Sequence, residues 1–82
     1  MYARSPEDLK RLITAHPDDS PSTFLDDGTY AAWCYDHLTP GELKSAFHRD
    51  ADPDACEKWG LSSLEFKQQV EMAWIAKMVA TL

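Results

Sequence analysis

The chain has 82 residues, is 44% apolar and 27% charged, and carries a formal net charge of −6 at pH 7. A chain this short makes a single domain, residues 1–82, that buries roughly 60–65% of the surface its unfolded form exposes, so its core is small and a substrate-sized cavity would strain it. Its apolar and aromatic content excludes a disordered chain, and two cysteines exclude a disulfide framework.

The prolines announce where helices start. Ser5-Pro6, Ser20-Pro21, Thr39-Pro40 and Asp52-Pro53 each place a capping residue before a proline. The cap oxygen satisfies a first-turn amide, and proline at the next position has its φ preset and loses no needed donor. The first helix is expected from Pro6 to about His16, stopped by Pro17, with Leu9, Leu12 and Ile13 inward. Ser5 with Asp8 has the spacing of a capping box, in its Asp form. Pro21 to Asp27 reads as a short helical turn ended by Gly28, with Phe24 and Leu25 in the core; a hairpin over Asp27-Gly28 is the competing reading.

The next helix covers about Thr29 to Leu38. Tyr30, Trp33, Cys34, His37 and Leu38 recur at steps of three and four and predict one shared face. Pro40 to Arg49 follows, boxed by Thr39 and Glu42, with Leu43, Ala46 and Phe47 inward. Pro53 to Trp59 is short and stops at Gly60, a natural left-handed cap. The last helix starts after Ser62, which forms a capping box with Glu65, and runs to about Ala80. Its first half turns Phe66, Val70, Ala73 and Trp74 to one side. Its second half is apolar all round. That half is either the central core helix or a surface shared with a second copy through Met72, Ile75, Met78 and Val79. The expected fold is all-α, a compact bundle of about five short helices, the longest at the C-terminus.

Met1 to Arg4 leads into a charged helix start with no apolar run of signal-peptide type. The longest apolar-rich stretch, Met72 to Leu82, contains Lys77 and falls short of the roughly 20 residues of a membrane span. The expectation is a soluble, cytoplasmic protein with no membrane association.

Charge is zoned along the chain. Between Asp18 and Asp54 nine acids stand against Lys44 and Arg49, for a sum of −7. Residues 1–17 sum to +1 and residues 55–82 to zero. Such a field favours basic partners and repels nucleic acid.

Cys34, His37, His48 and Cys56 are the ligand types of a four-coordinate zinc site, but their spacing matches no common finger. Their simpler reading is two small core cysteines and two ordinary histidines. Asp50-Ala51-Asp52-Pro53-Asp54 opens like a calcium loop, yet Ala55 and Leu61 stand where such a loop needs glycine and glutamate. No Gly-rich phosphate loop and no nucleophile motif is present, so the sequence points to no enzyme and no cofactor.

Cys56, Gly60 and Phe66 have the spacing of a small residue, a turn glycine and a buried apolar residue, and Leu61-Ser62 follows the glycine. Over residues 55–70 the chain resembles the helix-turn-helix family of DNA-binding domains. That resemblance implies a transcriptional regulator in which Ser62, Ser63, Lys67 and Gln68 face the major groove.

The acidic zone supports a different expectation. Asp18, Asp19, Asp26, Asp27, Asp50, Asp52 and Asp54 fall in connections and first turns, where local hydrogen bonding already favours Asp. If they gather in space, with Phe24, Tyr30 and Tyr35 as aromatic anchors, they could occupy a basic groove on a nucleic-acid-handling protein. In size and charge the chain resembles the small acidic inhibitors made by phages, anti-CRISPR proteins among them. The leading expectation is thus an acidic protein–protein interaction module, an inhibitor or regulator that binds through those Asp residues, Tyr30 and Tyr35.

Overall fold

A computed structural model describes residues 1–81. Leu82, the last residue of the apolar C-terminal stretch, lies outside them. The described residues form five α-helices and one 3-10 turn, with no strand. These are α1 (Pro6–Ala15), the turn (Pro21–Phe24), α2 (Tyr30–His37), α3 (Pro40–His48), α4 (Pro53–Trp59) and α5 (Ser63–Ala80). None is long and apolar enough to cross a membrane.

The starts follow the capping chemistry. Thr39 and Glu42 form a complete capping box, and so do Ser62 and Glu65. The Asp52 carboxylate accepts from the Asp54 amide at 3.0 Å. Gly60 ends α4 at φ 67°, ψ 39°, where an L side chain would be strained. Two starts differ from expectation. Ser5 accepts from the Asp8 amide, but the Asp8 carboxylate turns back to the amide of Arg4, not Ser5, and also takes the Arg11 guanidinium. Its side chain is one methylene shorter than Glu, and it closes only half of a box. Ser20 caps nothing; its hydroxyl pairs with Ser22 Oγ at 3.0 Å, because only a single 3-10 turn follows. That turn stops at Phe24 with Leu25 extended, short of the expected Asp27–Gly28, although Phe24 and Leu25 are buried as the sequence indicates.

α5 is the axis of the fold. It packs against α1, α2, α3 and the 3-10 turn, and its two flanks carry two apolar clusters. On one flank Leu9, Leu12, Phe24, Leu25, Ala31 and Ala32 surround Met72 and Ala76. On the other, Tyr30, Cys34 and Leu43 surround Phe66, Val70 and Ala73. Each fully buried Leu, Val or Phe contributes about 1.5–3 kcal/mol over its exposed state. Of the proposed self-association residues, Met72 therefore belongs to the chain's own core. Ile75 and Val79 are half-buried and Met78 is 45% exposed.

α2 is held between both clusters, and the face on which Tyr30, Trp33 and His37 stack is only partly covered. Tyr30 and Cys34 are buried, but Trp33 and His37 are exposed and Leu38 is half-buried. Ala31 and Ala32 are buried in their place. Two small side chains let α2 approach α5 closely, and a helix gripped on two sides has no single apolar stripe. The Ala31 amide, an orphan of the first turn, donates to Gln69 Oε1 at 3.0 Å.

Candidate partner-binding groove

An open groove of about 1010 Å³ runs between α2, α3 and the segment 49–53, with Phe66 of α5 at its base. It lies between elements and leaves the small core intact. Tyr30 and Trp33 come from α2, Leu38 and Thr39 from the α2–α3 junction, Gly41, Glu42, Ser45 and Ala46 from α3, and Arg49 to Pro53 from the α3–α4 connection and the start of α4. Lys67 of α5 sets the end of α3 from which that connection hangs. Its ammonium donates to the carbonyls of Phe47 and Arg49, satisfying last-turn acceptors where the helix dipole is negative.

Three carboxylates line the groove: Glu42, Asp50 and Asp52. Glu42 gives one oxygen to the Thr39 amide at 3.0 Å. That backbone bond, with a further one from the Thr39 side chain, holds its carboxyl below the usual range, so it stays ionised at neutral pH. Asp52 spends one oxygen on the α4 cap, and Asp50 has no intrachain hydrogen-bond partner among the described residues. The one ion pair among the described residues joins Arg11 to Asp8. No carboxylate between Asp18 and Asp54 has one. Arg49, also in the groove, donates through Nε to the Ser45 carbonyl at 3.3 Å.

The six remaining acids of the zone lie elsewhere, Asp36 among them, exposed on α2 and not lining the groove. Asp18 and Asp19 are exposed in the connection after α1. Asp26 and Asp27 are exposed before α2, where Asp26 closes a turn by accepting from Thr29. Asp54 is exposed on the first turn of α4 and does not line the groove.

The aromatic anchors differ from those expected. Phe24 is core. Tyr35 is half-buried, with the Lys77 ammonium 4.9 Å from its ring centroid and bonded to its own carbonyl. Tyr30 is only 8% exposed. Burial first, then Cys34, Asp52 and Cys56 around it, push its phenol far above the ordinary value, so it stays neutral. Trp33, which periodicity placed on one face with Tyr30 and Cys34, is 37% exposed and lines the groove. His37, Trp33, Tyr30 and Phe66 form one stacked column. Its centroid spacings are 4.7, 5.8 and 5.3 Å, with Trp59 tilted against Tyr30 and Trp33. The column leads from solvent to the core. A tryptophan on a part-covered helix face resembles a core residue in sequence, and only the α3 approach leaves it open.

The other candidate sets are placed as follows. Cys34 is fully buried, and burial pushes its thiol up to about 11, away from a reactive thiolate. Cys56 packs on the same cluster, His37 donates through Nδ1 to the Trp33 carbonyl, and His48 lies against Phe47 and Trp74. The described residues bring no three His, Cys, Asp or Glu side chains together as a metal site, so the four do not converge. Ser62 is engaged as a cap, Ser63 is exposed, and Lys67 and Gln68 are half-buried. Ile75, Met78 and Val79 line a smaller furrow of about 340 Å³ with Lys10, Glu71 and Trp74.

No protein-family model, curated protein or solved structure matches this chain.

Proposed function

We propose that the protein is an acidic interaction module that seats a basic segment of a protein partner in the α2–α3 groove. It acts as an inhibitor or regulator of a nucleic-acid-handling protein, in the manner of the small phage inhibitors it resembles in size and charge. The observation that carries this reading is the meeting of three carboxylates without ion-pair partners and one exposed indole in a single groove. Charge brings a basic partner to the surface and the desolvated aromatic gives it a fixed seat. The shifts of Tyr30 and Cys34 arise chiefly from burial and those of Glu42 and Glu65 from capping.

The helix-turn-helix regulator is the second reading, favoured by the α4–Gly60–α5 corner with its left-handed glycine and buried Phe66. It asks Lys67 to meet phosphate, whereas that ammonium is bonded to the end of α3. It also brings few other cations to offset the acidic field.

Calorimetric titration with a peptide of alternating lysine and arginine separates the two. The interaction module binds the peptide, more weakly at high salt. Replacing Asp50→Lys together with Asp52→Asn, which keeps a capping side chain, weakens binding about tenfold, and Asp18→Lys with Asp19→Lys changes it far less. Equal binding by both variants overturns the groove assignment. A gel shift of duplex DNA at low salt, without peptide binding, favours the second reading instead.

A further inference from the structure

We propose that the furrow between α1 and α5 binds a second copy of this chain. The contact is two-fold: Met78 of each copy enters the furrow of the other, and Lys10 of each meets Glu71 of the other. This inference concerns a different face from the groove and is independent of the interaction reading above.

Three observations carry it. First, the outward side of α5 is apolar where a surface helix is ordinarily polar. Met72, Ala73 and Ala76 are buried in the core, yet Ile75, Met78 and Val79 line an open furrow of about 340 Å³. Met78 is exposed there, and Trp74 beside it is only half-buried. Lys77, the one cation of this half of the helix, has its ammonium bonded to the Tyr35 carbonyl of α2. Second, the furrow holds a base and an acid that do not pair within the chain. Lys10 of α1 and Glu71 of α5 both line it, but the one ion pair among the described residues joins Arg11 to Asp8. A two-fold axis makes every contact twice, so Lys10 with Glu71 of the other copy satisfies both groups on both chains. Third, one Lys and one Glu make the lining neutral, in a chain of net charge −6. A second copy brings the same −6, so the acidic groove repels it and this face opposes it least.

The charges select the occupant. A basic segment finds one acid here, already matched by a lysine, and an anionic lipid surface finds one lysine, already matched by an acid. A second copy supplies an apolar side chain, an acid and a base together. Methionine is unbranched and polarisable, so Met78 can fill an irregular slot and pack against the Trp74 ring. Met78, Ile75 and Val79 then form the apolar centre of the contact, and the two Lys10–Glu71 pairs form its polar rim. Exposed pairs of this kind add little affinity, but they fix the register and penalise a wrong one.

Sedimentation equilibrium of the full chain provides the test, over a concentration series up to about 1 mM, which populates even a weak dimer. The mean mass should rise from 9.3 kDa toward twice that value. Met78→Asp should hold the chain at the monomer mass. Leu64→Asp, at an exposed apolar residue of α5 outside the furrow, should leave association unchanged. Lys10→Glu and Glu71→Lys should each weaken association about threefold to tenfold, and the two together should restore it. Near-ultraviolet circular dichroism checks that each variant keeps its tertiary packing; if Met78→Asp loses it, the charge exchange decides alone. A monomer at every concentration overturns the inference and leaves the basic-partner reading standing. Association that survives a folded Met78→Asp, or that Leu64→Asp abolishes, places the contact on another face and overturns it. Failure of the double charge exchange to restore association overturns it as well.

Discussion

At Gly60 the backbone turns through φ 67°, and the Leu61 amide reaches back to the Cys56 carbonyl at 2.9 Å. A Cβ there meets no neighbour within 4 Å, so the cost of substitution is backbone strain alone. Gly60→Ala should lower stability by about 1 kcal/mol in urea unfolding. No loss at all would mean the chain can end α4 another way. This residue is legible in the sequence because its role is local: a glycine after a short helix has one common use. Trp33 is the opposite case. Its spacing from Tyr30 and Cys34 predicts a shared face, and its exposure depends on how its neighbours pack against that face. Gln69 is similar. A polar residue on the buried side of α5 looks anomalous until the α2 amide it accepts from is in place.

At the scale of elements, helix starts were readable and helix faces only in part. A cap acts within four residues of itself, whereas a face is set by all the neighbours of a helix. α5 shows both: its capping box is where the sequence puts it, and its all-round apolar second half is buried through Met72, Ala73 and Ala76 but leaves Met78 45% exposed. The boxes also set the acid response. Glu42 and Glu65 are held below the ordinary 4.5 by bonds to the Thr39 and Ser62 amides. Protons therefore bind the unfolded chain more readily. The stability these carboxylates supply is complete above the ordinary value and is lost as pH falls through their lower folded values. Ser62→Ala should cost about 1 kcal/mol at neutral pH. Glu65→Gln, which can still accept from the Ser62 amide, should flatten the fall of melting temperature at acid pH. An unaltered pH slope would remove Glu65 from this account.

For the molecule as a whole, the charge zone resolves into parts. Glu42, Asp50 and Asp52 share a groove with Trp33, Asp18, Asp19, Asp26, Asp27 and Asp54 serve connections and a first turn outside it, and Asp36 stands exposed on α2. The sum of −7 was visible in the sequence, but its division was not, because it depends on how the 49–53 segment is held over α2 by Lys67 and the end of α3. The bundle and its longest helix followed from caps and period. The groove is a product of packing, formed where three elements leave a gap. Its central role is tested most directly by mapping backbone amide and indole NMR shifts during titration with the peptide of alternating lysine and arginine. The account predicts that the largest shifts fall on the Trp33 indole, Tyr30, Glu42 and Asp50 to Asp52, with Asp18 to Asp27 little moved. Shifts spread evenly over all the acidic connections, or confined to Ser62 to Gln68, would contradict it.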